Sequence, residues 1–488
     1  MFNNLTFASE KLNTRYKISF LHISSLLVLQ LLVIFSIVFG YYLFIGILLL
    51  CLLALFIISD LEKSLYLVIL SFAFSQSIPV FTVGNRIVGI SSDFVLVPIV
   101  ILAWLSRKLY EENINGIWQQ NKLVRPIVLF MTSAVVSILF ASTKLSLPQL
   151  LDGILWIIGI AEYMFMSIVV ADLVKTERQV KSLLCCMFFL ATIVASVGLL
   201  QGLVYGITPI GSVFGSIFRG QPGNHNVLGA YVGIFAALGF TFSLYYQGRK
   251  RWVFLLLVCL FLWSMILTLS RSSWLGLILA LGFLLFQLKR KSLLLGAIIL
   301  SLCLFFIMPN RVRERATSIF QALFDREVAE TFSKTDFSRL RQEIIPIVVR
   351  GYGHNADIVS AGLRYAIWKE SFNTFKKFPM TGTGYGLNKY FSRAATADNL
   401  FLDVLVWGGI PGFLIFAYLC LGIAKMAKNS YDILPVGFYK TFTLGYRSCL
   451  VLILVLSLTG SVMLSFKLSG LFWFLTGLVV GIKKNIGN

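Results

Sequence analysis

The sequence has few charged residues for its length. Only 13% of its 488 residues are Asp, Glu, Lys or Arg, whereas 58% are hydrophobic. A soluble chain of this composition has too little polar surface to cover its apolar side chains, so lipid must form part of the solvent. The composition therefore excludes an ordinary soluble fold and predicts a membrane protein.

Acidic residues are the scarcest charged class. The chain has 21 Asp and Glu against 42 Lys and Arg, which gives a net charge of +21. Such an excess can indicate nucleic-acid binding. Here, however, the basic residues flank long apolar runs, as they do at the cytoplasmic faces of membrane proteins. We therefore expect no nucleic-acid partner.

Cysteine and histidine are also rare. All seven cysteines fall inside apolar runs, where they predict small hydrophobic side chains rather than a disulfide framework. The three histidines form no His-x-x-His or carboxylate cluster, so we expect no metal site and no cofactor. His22 lies within an apolar run, whereas His225 and His354 lie near polar segments. Each of these two is either structural or a general base.

Long apolar runs occupy most of the chain. Because a bilayer core of about 30 Å requires roughly 20 apolar residues per helix, the runs predict an all-α polytopic membrane protein with about 14 transmembrane helices (12–14). The first run lacks a small-residue cleavage site, so we interpret it as two spans rather than a signal peptide. The predicted spans lie near residues 18–38, 41–59, 64–82, 87–105, 124–141, 147–172, 182–205, 226–246, 252–270, 272–288, 292–308, 397–423, 441–463 and 466–482.

The basic residues predict an orientation. With fourteen spans and a cytoplasmic N-terminus, most Lys and Arg of the short connections fall on the inner side, as the positive-inside rule requires. Both termini are then cytoplasmic, and the protein is expected in the plasma (inner) membrane. The short outer connections hold Arg86, Lys144, Arg219, Arg271 and Lys467.

One segment, residues 309–396, is expected to form a large extracytoplasmic loop with amphipathic helices. It holds fourteen Lys and Arg against eight Asp and Glu, an excess that long translocated segments tolerate. Solvated helical surface accounts for most of these charges. Residues 363–377 predict an amphipathic helix at the membrane surface or on the bundle. Its apolar stripe is Leu363, Ile367, Trp368, Phe372 and Phe375.

A proline and three glycines follow this helix, in the segment Pro379-Met-Thr-Gly382-Thr-Gly384-Tyr-Gly386. They predict the end of the helix and a turn. Backbone N–H groups of such a segment can also hold phosphate, but the spacing matches neither a P-loop nor a dinucleotide fingerprint. We therefore favour the turn.

Arg219 and Arg271 lie at the outer edge of the membrane, where topology disfavours arginine. Ionisable groups at such positions are costly unless paired, and they are often functional. A guanidinium group is also well suited to bidentate phosphate binding. We favour that role for both residues. The structural alternatives are snorkelling for Arg271 and an ordinary loop charge for Arg219.

Asp398 begins the span that follows the loop. Aspartate is favoured at helix N-caps, so a purely structural role is one interpretation. A general base close to the arginines is the other.

Taken in order, these segments resemble the O-antigen ligase and O-antigen polymerase (Wzy-like) superfamily of bacterial membrane glycosyltransferases. The resemblance covers about residues 210–425 and rests on the order, spacing and common outer location of several short motifs. It predicts a core at 206–425, between an N-terminal transmembrane bundle at 1–205 and C-terminal helices at 426–488. The motifs are Arg219-Gly-Gln-Pro-Gly-Asn-His-Asn, Leu267-Thr-Leu-Ser-Arg271-Ser, Arg364-Tyr-Ala-Ile-Trp368, the glycine segment, Asp398-Asn-Leu-Phe-Leu402 and Gly408-Gly-Ile-Pro411-Gly.

The resemblance implies a metal-independent glycosyltransferase that uses an oligosaccharide on undecaprenyl pyrophosphate. Arg219, Arg271 and Arg364 would bind the pyrophosphate. Ligases of the superfamily carry a histidine, their proposed base, where this chain has Asp398. Either Asp398 takes that role here or another residue does, with His354 and His225 as the alternatives.

The missing histidine favours a polymerase of a cell-surface or cell-wall polysaccharide, such as teichuronic acid, exopolysaccharide, capsule or O-antigen. A ligase that transfers glycan to lipid A or protein is the alternative within the class. A transporter or flippase of lipid-linked glycan is the alternative from another class, although we find no internal repeat of the kind that transporters show. Expected partners are the lipid-linked oligosaccharide and membrane lipid, with a flippase and a chain-length regulator as further candidates.

Overall fold

The computed structural model describes residues 53–74, 78–83, 86–90, 92–111, 122–205, 225–289, 354–392, 394 and 396–486. The chain divides into two compact units, Met1–Ser64 and Leu65–Asn488. Three predicted features lie outside the described residues: the spans at 18–38 and 292–308, and Arg219. The same holds for most of the span at 41–59 and for the first half of the loop at 309–396.

Residues 53–59 of the first unit are helical. Asp60 then begins the next helix, because its carboxylate accepts a hydrogen bond from the backbone N–H of Lys63 at 3.0 Å and pairs with the Lys63 ammonium at 2.9 Å. Such a cap satisfies one of the N–H groups that a helix start leaves free.

Helices form most of the described chain, as predicted. Two one-turn 3₁₀ helices, Asn388–Tyr390 and Val462–Leu464, accompany them. The α-helices are α1 (Leu61–Phe74), α2 (Ser92–Tyr110), α3 (Val124–Ala141), α4 (Leu147–Leu173), α5 (Glu177–Tyr205), α6 (His225–Tyr245), α7 (Arg249–Leu267), α8 (Arg271–Gln287), α9 (His354–Lys377), α10 (Leu400–Ile433), α11 (Phe438–Thr459) and α12 (Phe466–Ile486).

Seven helices of the described residues are long and apolar enough to cross a membrane, namely α3 to α7, α10 and α11, and α8 and α12 are shorter apolar helices. The chain is thus a multi-pass membrane protein. The total of fourteen spans stays a prediction. The predicted spans 252–270 and 272–288, which a very short connection joins, are two separate helices, since α7 ends at Leu267 and α8 begins at Arg271.

An antiparallel hairpin departs from the all-α prediction. Strands β1 (Ile78–Val83) and β2 (Arg86–Ile90) pair in register from Ile78–Ile90 to Val83–Arg86. The predicted spans 64–82 and 87–105 are therefore wrong at their facing ends. The reason is local, because β-branched residues dominate both strands and a Gly-Asn pair separates them, which is a hairpin signature.

Helix α6 is the centre of the second unit. From Val227 onward almost all its residues are buried, and it packs against α7, α8 and α11. The close approach depends on small side chains, since a Cβ atom at Gly229 would lie 2.6 Å from the hydroxyl oxygen of Ser273 on α8. Small residues of this kind let membrane helices approach closely.

Helix α10 is broken within its first three turns. Gly409 has φ 63° and ψ −167°, far from helical values, and Pro411 follows inside the helix. Proline lacks an N–H group and its ring clashes with the carbonyl four residues earlier, here that of Trp407. The break leaves the carbonyls of Val406 and Trp407 and the N–H of Ile410 without their helical partners.

The turn after α9 supplies the missing partners. Thr383 N–H donates to the Val406 carbonyl at 2.9 Å, and Gly384 N–H donates to the Trp407 carbonyl at 3.0 Å. In return, Ile410 N–H donates to the Pro379 carbonyl at 2.8 Å. The glycine turn and the broken helix thus form one interlocked unit, which we call the helix–turn lock (residues 378–386 with 406–411).

A substitution at Gly409 tests this lock. In Gly409→Ala, the new Cβ would lie 2.7 Å from the Pro379 carbonyl oxygen at a positive φ, so we expect a loss of about 2 kcal/mol or more of stability. Gly422→Ala, on the same helix, is the control because its Cβ would meet its nearest atom at 3.9 Å. The measurement is the apparent melting temperature in detergent. Equal melting temperatures for the two variants would contradict the lock.

Candidate active site

The connection between α7 and α8 is a tight turn that carries the first candidate residue. Leu269 adopts φ 53°, a left-handed conformation that is uncommon for a branched side chain and typical of functional turns. The Ser270 hydroxyl donates to the side-chain carbonyl of Asn226 at 2.8 Å and shares a hydrogen bond with Ser273 at 2.8 Å. This contact ties the start of α6 to the start of α8.

Arg271 and Arg364 come from different parts of the chain but lie near enough for the charge of Arg364 to act on Arg271. Arg271 is the first residue of α8 and Arg364 lies on α9, and both are half-buried. Like charges held near one another at partial burial repel, so the arrangement favours a ligand that brings negative charge. Guanidinium pairs suit the oxygens of a phosphate group.

The candidate histidines stand at two helix starts. His225 is the half-buried first residue of α6, next to Asn226, whose side chain meets Ser270. His225 and Arg271 thus flank the same hydrogen bond. His354 begins α9, but its side chain lies outside the described residues.

Asp398 is exposed and adopts φ 50°, two residues before the first residue of α10. The cap of α10 is its neighbour Asn399, whose side-chain oxygen accepts hydrogen bonds from the N–H groups of Phe401 and Leu402 at 3.1 Å each. The structural interpretation of Asp398 as the cap is therefore wrong, because the side chain one residue later meets the free N–H groups. The role as a base stays a prediction.

Asp403 is a buried carboxylate that the sequence analysis missed. It accepts a hydrogen bond from the Ala397 N–H at 2.6 Å and another from the Ser461 hydroxyl. The charge of Asp398 also acts on it. Asp403 thus joins the segment that carries Asp398 to the connection between α11 and α12. An acidic residue in the first turn of a predicted span was the available signal.

A second buried carboxylate, Asp152 on α4, anchors the segment that follows the glycine turn. It accepts a hydrogen bond from the Lys389 ammonium and one from the Tyr390 hydroxyl at 2.5 Å. Burial, followed by this bond to Asp152, raises the pKa of Tyr390. The nearby Lys144 ammonium lies 4.2 Å from the ring centre of Phe378. No pattern in the sequence predicts the contact between Asp152 and residues 388–390.

The glycine segment forms a turn, as we favoured. The N–H groups of Gly382, Thr383 and Gly384 donate to carbonyls at 378, 406 and 407. They are therefore engaged within the protein rather than directed at a phosphate. Tyr385 packs its ring against those of Phe130 and Trp407, and burial raises the pKa of its hydroxyl.

Helix α9 confirms the helix predicted at 363–377 and extends it to His354. Its buried face differs from the predicted apolar stripe. Ser371 and Thr374 are fully buried, whereas Trp368 and Phe372 are 36% and 46% exposed. The helix packs on α10, and two aromatic residues of the stripe remain on the outside.

Several helix ends meet on the same side of the second unit. The Asn399 amide donates to the Leu458 carbonyl near the end of α11 at 3.0 Å, and Asp152 near the start of α4 holds Lys389. With the contact between Ser270 and Asn226, these bonds define what we call the loop end of the helices. Within the described ranges, no group of three or more His, Cys, Asp or Glu side chains is placed to hold a metal ion.

Comparison with known proteins identifies part of the chain. The model of the family described as O-antigen ligase matches residues 256–417. This range contains Arg271, Arg364 and Asp398, and it lies within the predicted core at 206–425. The resemblance to the O-antigen ligase and polymerase superfamily is thereby confirmed for this domain. No curated protein gives a significant match.

Truncation of Asp403 tests its role in holding the segment of Asp398. Asp403→Ala leaves the Ala397 N–H without its partner, so we expect a loss of about 1–3 kcal/mol of stability. Asp432→Ala, an exposed position on the same helix, should change stability by no more than about 0.5 kcal/mol. Thermal denaturation in detergent measures both. A melting temperature of Asp403→Ala equal to that of Asp432→Ala would rule out the role.

Proposed function

We propose that this multi-pass membrane protein, whose residues 256–417 carry an O-antigen ligase family domain, polymerises repeat units linked to undecaprenyl pyrophosphate. The product is a cell-surface or cell-wall polysaccharide, of the teichuronic acid, exopolysaccharide, capsule or O-antigen kind. The observation that carries the proposal is that Arg271 and Arg364, half-buried on α8 and α9, lie within electrostatic reach of each other.

The two arginines fit the leaving group of this reaction. When a glycan leaves its carrier lipid, the bond between the anomeric carbon and the pyrophosphate oxygen breaks, and the pyrophosphate takes up negative charge. Guanidinium groups fixed before the reaction stabilise that charge without reorganisation. Arg219, which lies outside the described residues, is proposed as a third contact.

Asp398 is proposed as the general base. It would take the proton from the acceptor hydroxyl as the oxygen forms its bond to the anomeric carbon, with inversion of configuration. Its exposure before α10 leaves it accessible to an acceptor sugar, and Asp403 and Asn399 hold the segment around it. His354 and His225 are the alternative bases.

We place the site on the extracytoplasmic side. Among the described residues, many basic side chains lie near the opposite end of the helices: Lys108, Arg125, Lys175, Arg178, Arg249, Lys250, Arg251, Lys425 and Lys428. The positive-inside rule assigns such an end to the cytoplasm. The same rule supports cytoplasmic termini in the plasma (inner) membrane. The proposed partners are undecaprenyl-linked donors, membrane lipid, a flippase that supplies the donors and a chain-length regulator.

A ligase that transfers glycan to lipid A or protein is the second candidate, because the family description itself names ligase activity. Reconstitution with undecaprenyl-pyrophosphate repeat units separates the two. A polymerase yields products of increasing length from these units alone. If glycan is transferred once to an added acceptor without chain growth, the ligase is correct. Transport of the lipid-linked units without new glycosidic bonds would instead support a flippase.

Arginine variants test the pyrophosphate site. Arg271→Ala and Arg364→Ala each remove a charged donor, and we expect polymerisation to fall by about 10²–10³-fold. Lys377→Ala, an exposed basic position on α9, is the matched control and should retain near-normal activity. Full activity in both arginine variants, with normal protein levels, would exclude the proposed site.

An isosteric change at Asp398 tests the base. Asp398→Asn retains the size of the side chain but cannot accept the proton, so we expect a rate loss of about 10²–10⁴-fold. Donor binding should change little, because the arginines are intact. Unchanged turnover would transfer the role to His354 or His225, each then tested by substitution with Ala.

A further inference from the structure

A large apolar groove lies between α10, α11 and α12. Its cavity volume is about 590 Å³, and Phe416, Cys420, Leu450 and Leu454 are among the side chains that line it. It is open to the side, since Leu421 and Leu454, which line it, are 69% and 51% exposed. In a membrane protein such an opening faces lipid, so the groove suits acyl chains.

The end of the groove that is farther from the loop end is basic. Lys425 and Lys428 on α10 and Arg447 on α11 all line it. The Arg447 guanidinium lies 5.4 Å from the ring centre of Phe283 and 5.0 Å from that of Tyr431. Cation–π contacts of this kind orient the guanidinium group and leave its charge available.

Carboxylates do not neutralise this basic end. Within the described part of the chain, no Asp or Glu oxygen lies within 4.0 Å of the charged nitrogens of Lys425, Lys428 or Arg447. Asp432 is the carboxylate whose charge acts on Arg447. Three cations against one nearby anion leave a net positive charge where the apolar groove ends.

We propose that the groove binds an anionic phospholipid, with its phosphate on Lys425, Lys428 and Arg447 and its acyl chains along α10. Basic pockets between transmembrane helices on the cytoplasmic side are suited to anionic headgroups. At the other end of the groove lie Tyr385 and Trp407, which belong to the helix–turn lock. A lipid bound in the groove therefore contacts the helix–turn lock through these two side chains.

The pyrophosphate of the carrier lipid in the proposed reaction does not fit the basic end. Lys425 lies about seven helical turns beyond Leu400, roughly 35 Å along α10 at 1.5 Å per residue. A donor whose pyrophosphate lies near Arg271 cannot also place it at the basic end. A phosphate bound at the basic end thus belongs to a second amphiphile with the opposite orientation. This inference stands independently of whether the enzyme is a polymerase or a ligase.

Native mass spectrometry of the full chain in detergent tests the site, with phosphatidylglycerol as the anionic probe and phosphatidylcholine as the zwitterionic one. We expect one phosphatidylglycerol to bind at least tenfold more tightly than phosphatidylcholine and to raise the melting temperature. The triple variant Lys425→Gln, Lys428→Gln, Arg447→Gln should lose this preference. The matched control, Arg249→Gln, Lys250→Gln, Arg251→Gln, removes the same charge from the exposed start of α7 and should retain it.

A second variant leaves the charges intact and fills the groove. Ala424→Trp places a large ring at an exposed position of the lining, so it should fold normally and weaken phosphatidylglycerol binding by at least tenfold. Equal binding of the two lipids, unchanged binding in the basic variant, or an equal loss in the α7 control would overturn the proposal. Competition by a polyprenyl pyrophosphate that depends on Lys425, Lys428 and Arg447 would overturn the assigned occupant.

Discussion

The helix–turn lock is the interaction on which the candidate site depends. A break in a buried helix leaves carbonyl and N–H groups unpaired, and such groups are costly in a membrane protein because lipid offers no hydrogen bonds. The turn at 378–386 meets this requirement with three backbone hydrogen bonds. Close approach demands glycine at Gly409, since a Cβ there would contact the Pro379 carbonyl oxygen at 2.7 Å.

The lock has consequences for the chemistry. It fixes the end of α9, the helix that carries Arg364, against α10, at whose start Asp398 lies. Asp152 and Asp403 then hold the intervening segment from two sides, through Lys389 and through the N–H of Ala397. A loop anchored at so many points holds its side chains on a rigid frame, which is what the proposed stabilisation of a leaving group requires.

The helices also separate two kinds of polar chemistry. Arginines and carboxylates converge at the loop end, whereas lysines and Arg447 meet an apolar groove near the opposite end. Both groups of charges lie away from the bilayer centre, where an ionisable side chain carries a large free-energy cost. The two proposed ligands, a pyrophosphate and an anionic phospholipid, therefore occupy opposite ends of the same long helix, α10.

The sequence by itself determined the membrane class, most helix positions among the described residues and the family of the domain at 256–417, because hydrophobic length and short ordered motifs are local properties. It also singled out Arg271 and Arg364. Only the tertiary structure decided that the charge of Arg364 reaches Arg271, that Asn399 caps α10, and that Asp152 and Asp403 hold the loop. Those contacts join residues far apart in the chain, and no local periodicity encodes them. The hairpin at 78–90 was a local signal that the apolar pattern concealed.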